Sequence, residues 1–90
     1  MAHVEELQTL TAAETAQYIN KQLKVMNLPK PPEEVYTLIY WYTHGVLRAL
    51  EKLFSMIARI LKINEHVVKE ITREVVETAR EMVMFRLNGT

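Results

Sequence analysis

Three histidines, one serine and eleven carboxylates, all of them glutamate, are the obvious candidates for catalysis or metal binding in this sequence. The helical metal motif Glu-x-x-His sets a glutamate one turn before a histidine, so that both side chains leave one face of the helix together. None of His3, His44 and His66 has a glutamate three or four residues before it, and no two of them share that spacing. His44 reads as a solvated residue on a polar arc. A Ser-His-Asp triad is excluded because the chain has no aspartate. Ser55 also lies within an amphipathic helical pattern, with no glycine-rich elbow to lift its hydroxyl out. Cysteine is absent, which removes thiol nucleophiles and disulfides. Gly45 and Gly89 are the only glycines, too few for a phosphate-cradling loop. Glu5-Glu6 and Glu33-Glu34 are sequence neighbours that diverge on a helix, so they read as solubilising residues and helix-dipole partners. The expectation is a protein without catalytic, metal-binding or cofactor-binding residues, and not an enzyme.

The elements that would position any site are helical. Apolar residues make up 49% of the 90 positions and charged residues 24%, the mixture of a single globular domain. Asp, Ser, Gly and Pro are scarce, and that leaves little turn chemistry. Thr11 and Glu14 form the Thr-x-x-Glu pattern of a capping box, and Ala12, Ala16, Ile19, Leu23 and Met26 follow on one helical face. A first helix is therefore predicted over 11–26. Pro29, Pro31 and Pro32 end it and open the next, with Glu33 and Glu34 at the positive end of the dipole. A long central helix is predicted over 33–62, in which Gly45 marks either a break or a close helix crossing; the crossing is the preferred reading because the periodicity keeps its phase through the glycine. Asn64 is predicted to cap a third helix over 65–87, with Glu65–Lys69 and Arg73–Glu77 paired on its outer face and Asn88-Gly89 as its stop. Val4, Leu7 and Leu10 recur every third residue and suggest a short additional helix. The fold class is all-α: a three-helix, bundle-like domain with a long central helix, expected to be oligomeric.

Charge is even. Eleven basic residues balance eleven acidic ones, and the balance persists along the chain, which disfavours a nucleic-acid partner. The longest uncharged stretch, Val35 to Leu47, is 13 residues, against the ~20 needed to cross a bilayer. A cytoplasmic location, or a place in an assembled particle, is the expectation, with no membrane partner.

Two local resemblances enter here. Leu10-Thr11-Ala12-Ala13-Glu14-Thr15-Ala16-Gln17-Tyr18-Ile19-Asn20 resembles the opening helix of excisionase-type helix-turn-helix domains. That resemblance implies a short turn, then a recognition helix carrying basic and polar side chains, and so a small DNA-binding regulator. A long helix between two shorter ones resembles the histone fold and implies a pairing module.

The central segment argues for a different role. On one continuous helix, Thr37, His44, Arg48, Glu51, Lys52, Ser55, Arg59 and Lys62 would crowd into roughly a third of the circumference, and the apolar remainder would be about twice the ~100° stripe that a single core needs. Tyr36, Tyr40, Leu47, Phe54 and Leu61 form one line on that excess arc. Either the long helix is central and nearly surrounded within one chain, or part of this arc is buried between chains; Tyr36, Tyr40 and Trp41 favour the second, since amphipathic aromatics are enriched at interfaces. The leading expectation is a structural or assembly subunit that acts as a homo-oligomer or binds another helical protein. The excisionase-like DNA-binding regulator is the alternative.

Overall fold

The computed structural model describes residues 8–89, with side chains described through Met84. Over this range the chain is all-helical, with α1 at Ala12–Met26, α2 at Glu33–Thr43, α3 at Leu47–Ile63 and α4 at Arg73–Gly89. The suggested helix around Val4 and Leu7 lies outside the described residues. Thr9 makes an isolated antiparallel bridge to Val46.

α1 begins where its capping box requires. The Glu14 amide donates to Thr11 Oγ1 at 3.1 Å, and the Thr11 amide donates to Glu14 Oε1 at 2.9 Å. Its end is set by Asn27, which takes the left-handed conformation at φ 58 and lets the Leu28 amide reach back to the Leu23 carbonyl at 2.9 Å. The predicted helix 11–26 agrees with this to a residue. The prolines then carry the chain to α2, whose N-cap is Pro32.

The long central helix divides in two. α2 stops at Thr43, His44 and Gly45 follow with φ 53 and 75, and Val46 is extended before α3 starts. Two successive left-handed residues cannot continue a right-handed helix. Thr43 helps close α2, because its hydroxyl donates to the Ile39 carbonyl at 2.8 Å and accepts from the Gly45 amide at 3.3 Å. The apolar phase survives the break for a simple reason. The turn His44–Val46 uses about as many residues as one helical turn, ~3.6, so the pattern before and after it stays in register.

The last helix also starts later than predicted. Asn64 closes α3 instead of opening α4: its side-chain amide and its backbone amide both donate to the Ile60 carbonyl, at 2.8 and 3.0 Å. Thr72 takes the capping role, its hydroxyl accepting from the Val75 amide at 3.2 Å. Ile71 before the cap and Val76 after it are both fully buried, the positions of a hydrophobic staple. Glu65 and Lys69 accordingly lie in the connector and not on a helix, whereas Arg73 and Glu77 do pair, at 3.0 Å. α4 runs on to Gly89, two residues past the predicted end at Leu87.

α3 is the centre of the domain. Leu50, Leu53, Phe54, Met56, Ile57 and Leu61 are buried on it, against Ile19 and Leu23 of α1, Val35 and Ile39 of α2, and Val75, Val76 and Ala79 of α4. α3 pairs most extensively with α4, and α2 next with α4. Tyr18 of α1 meets the Phe54 ring edge to face, at a centroid distance of 5.8 Å.

Candidate interaction surface

The line of Tyr36, Tyr40, Leu47, Phe54 and Leu61 exists only on a continuous helix, and the break at His44–Val46 divides it between α2 and α3. Phe54 and Leu61, 3% and 8% exposed, belong to the core of a single chain. Tyr36 packs half-buried against that core, and its hydroxyl donates to Asn20 Oδ1 at 2.5 Å, tying α2 to α1. Tyr40 and Leu47 are half-buried, and the Leu47 amide is held by the Gln8 carbonyl at 2.9 Å. The excess apolar arc of the sequence is largely consumed by α1 and α4, which flank α2 and α3.

A different apolar surface remains. Trp41 is 69% exposed in the last turns of α2, with its ring tilted towards that of His44 at 6.4 Å. Glu34, Leu38 and Trp41 follow one edge of α2 at helical spacing, and with Thr37 and Arg73 they line a shallow cleft of about 290 Å³. The Arg73 guanidinium bridges this edge to α4, at 3.0 Å from Glu77 and 4.0 Å from Glu34. Its pKa is raised above the ordinary value, first by the Glu77 hydrogen bond.

A second cleft, of about 310 Å³, opens between the end of α2, the start of α3 and α4. Tyr42, Val46, Ala49, Leu53, Val83 and Met84 supply apolar walls, while Arg48, Lys52 and Arg80 line it with positive charge. No glutamate is among its lining residues. The Arg80 guanidinium lies 4.5 Å from the centroid of the Tyr42 ring, a cation–π contact that fixes its position. The first turn of α3, which forms one wall, carries no acidic side chain, and its N-cap Val46 offers no side-chain acceptor. The cleft was not legible in the sequence, because it combines residues of α4 with those of α2 and α3, whose boundaries depend on the turn at Gly45.

The histidines remain apart. His44 is the exposed left-handed cap of α2, His66 is exposed in the connector after α3, and His3 lies outside the described residues. Ser55 is exposed on α3. Among the described residues no three His or Glu side chains gather in a group that could hold a metal ion. No described helix is long and apolar enough to cross a membrane. No family model, no curated protein and no solved structure matches this chain.

Proposed function

We propose that this chain is a non-enzymatic, self-associating helical subunit, a structural or assembly component of the cytoplasm or of a larger particle. One observation carries the reading: Trp41 stands 69% exposed on a helix anchored from three sides. A large rigid aromatic left in water forfeits burial worth about 1.5–3 kcal/mol for a large apolar side chain. Tryptophan, with tyrosine and arginine, is also enriched among the dominant contacts of protein interfaces. Leu38, half-buried beside it, extends the apolar edge. Sedimentation at about 100 µM protein, well above the ~1 µM dissociation constant worth about 8 kcal/mol, tests the reading. An assembly that Trp41→Ala weakens supports it, and a folded wild-type monomer refutes it.

One observation favours a second reading, that of a helix-turn-helix DNA-binding regulator. α2 and α3 are joined by the short turn His44–Val46, which contains a glycine, as in helix-turn-helix pairs. α3 also exposes Arg48, Lys52, Ser55, Arg59 and Lys62, with Glu51 as the acidic residue among them. The opening resemblance at 10–20 does not support this arrangement directly, because α1 continues to Met26 and is followed by the proline connector and not by a short turn. A mobility shift of duplex DNA at micromolar protein and about 150 mM salt, lost in Arg59→Glu, would move the assignment to this reading.

A further inference from the structure

We infer that the cationic cleft between α2, α3 and α4 receives the Glu34–Leu38–Trp41 edge of α2 from a second copy of the chain. The inference rests on the self-association proposed above and names the two surfaces that meet.

Charge complementarity is the first argument. Arg48, Lys52 and Arg80 line a cleft that has no carboxylate among its lining residues. The α2 edge carries Glu34 below Leu38 and Trp41, and Glu34 and Glu77 share the single Arg73 guanidinium, at 4.0 and 3.0 Å, so this edge keeps an acidic excess. An apolar floor with a basic margin accepts an apolar helix edge with an acidic end, and opposite potentials also steer the encounter.

Shape is the second. Glu34, Leu38 and Trp41 fall at i, i+4 and i+7, the spacing with which a helix lays anchors into a groove. A cleft of about 310 Å³ is at the lower end of the ~300–1,000 Å³ typical of ligand pockets, a size suited to one indole with the neighbouring leucine at its mouth. Arg80, already stacked on Tyr42, would offer its other face to that indole.

Topology makes the contact intermolecular. Tyr42 and Thr43 of α2 line the cleft, while Trp41 lines the other one. Adjacent residues on a helix diverge by about 100°, so Trp41 cannot turn into the cleft of its own chain. Donor edge and acceptor cleft are therefore different patches, and every copy carries one of each. Two copies can exchange edges about a two-fold axis, or many can join head to tail.

Because the patches are distinct, complementation tests the pairing. One full-length variant, Trp41→Ala, spoils the edge. A second, Arg48→Glu with Lys52→Glu, reverses charge at exposed positions in the first turns of α3 and leaves the core untouched. Sedimentation equilibrium at about 100 mM salt, with circular dichroism confirming the fold, should show self-association of each variant weakened at least about tenfold. An equimolar mixture should recover a one-to-one dimer, since one intact edge and one intact cleft are again present. The chain carrying all three substitutions should not associate. If the wild type assembles and either variant assembles equally well, or if the mixture fails to recover association, the pairing is wrong while self-association stands. If the wild type is a monomer at about 100 µM, both are wrong. In that case octanoate or a short DNA duplex binding the wild type, but not the Arg48→Glu, Lys52→Glu chain, would assign the cleft to that ligand.

Discussion

The amide of Leu10 donates to the carbonyl of Gly45 at 2.7 Å, so the segment before α1 is fastened to the turn between α2 and α3. The contact leaves no space for a side chain. A Cβ at position 45 would overlap the Leu10 carbonyl oxygen, and the φ of 75 would strain any L-residue there. Gly45→Ala should therefore destabilise the fold by at least ~2 kcal/mol, from the ~1–2 kcal/mol left-handed penalty and the displaced Leu10 backbone. Urea unfolding checks this. A loss below about 0.5 kcal/mol, the ordinary range for a surface substitution, would show that the turn tolerates a side chain.

Thr15 offers the opposite case. It is buried on α1, and its hydroxyl finds no hydrogen-bond partner among the described residues. A buried unpaired hydroxyl costs about 1–3 kcal/mol, whereas an apolar group of the same shape does not. Thr15→Val should raise the thermal midpoint and add about 1 kcal/mol. A lowered midpoint would show that the hydroxyl is satisfied.

These two residues also mark what a sequence can disclose. The start of α1 was legible because a capping box is a local device: Thr11 and Glu14 satisfy each other's amides whatever the rest of the chain does. The end at Asn27 was legible through the prolines beyond it. At Gly45 the glycine itself left a break or a close crossing open, and the choice between them was not legible because its cause is non-local. It depends on Leu10 lying across the glycine, and the apolar periodicity passes through without a phase shift. Asn64 failed as a signal for a related reason. Asparagine serves at either end of a helix, and only the buried Ile71 beside the capping Thr72 shows that α4 begins at Arg73. Once one helix became two, the line from Tyr36 to Leu61 lost its meaning as a surface. Trp41, grouped with that line on sequence grounds, is the largest exposed aromatic among the described residues.

Alkaline pH should expose the packing of α1. The Tyr18 phenol is held above its ordinary pKa of 10.0, first by burial and then by the Glu51 carboxylate. Tyr36 is raised in the same direction, by burial and then by Glu33. With both values higher in the folded state, the unfolded chain loses these protons first. The associated stability is fully present below pH 10 and is lost as the pH rises through the raised values. The thermal midpoint should fall above pH 10, and Tyr18→Phe with Tyr36→Phe should flatten that fall while leaving the neutral-pH trend unchanged. An identical slope in the double variant would show that other groups carry the effect.

Two aromatic residues, one buried and one exposed, should separate folding from association. Phe54 is 3% exposed against Tyr18 in the core, whereas Trp41 is 69% exposed on α2. Phe54→Ala leaves a cavity in the centre of the domain and should cost about 3–5 kcal/mol, a large share of the ~5–15 kcal/mol total stability of a typical domain. Trp41→Ala removes little that is buried within one chain, so the stability of the isolated chain should stay within about 0.5 kcal/mol. Its effect should appear as concentration dependence. Wild-type melting should shift upward with protein concentration, as for any association that binds only the folded state, and the Trp41→Ala midpoint should not. Melting curves at about 0.1 and 100 µM, on either side of the ~1 µM dissociation constant worth about 8 kcal/mol, read both effects at once. A Trp41→Ala chain that loses as much stability as Phe54→Ala at the lower concentration would place Trp41 in the fold and not at an interface.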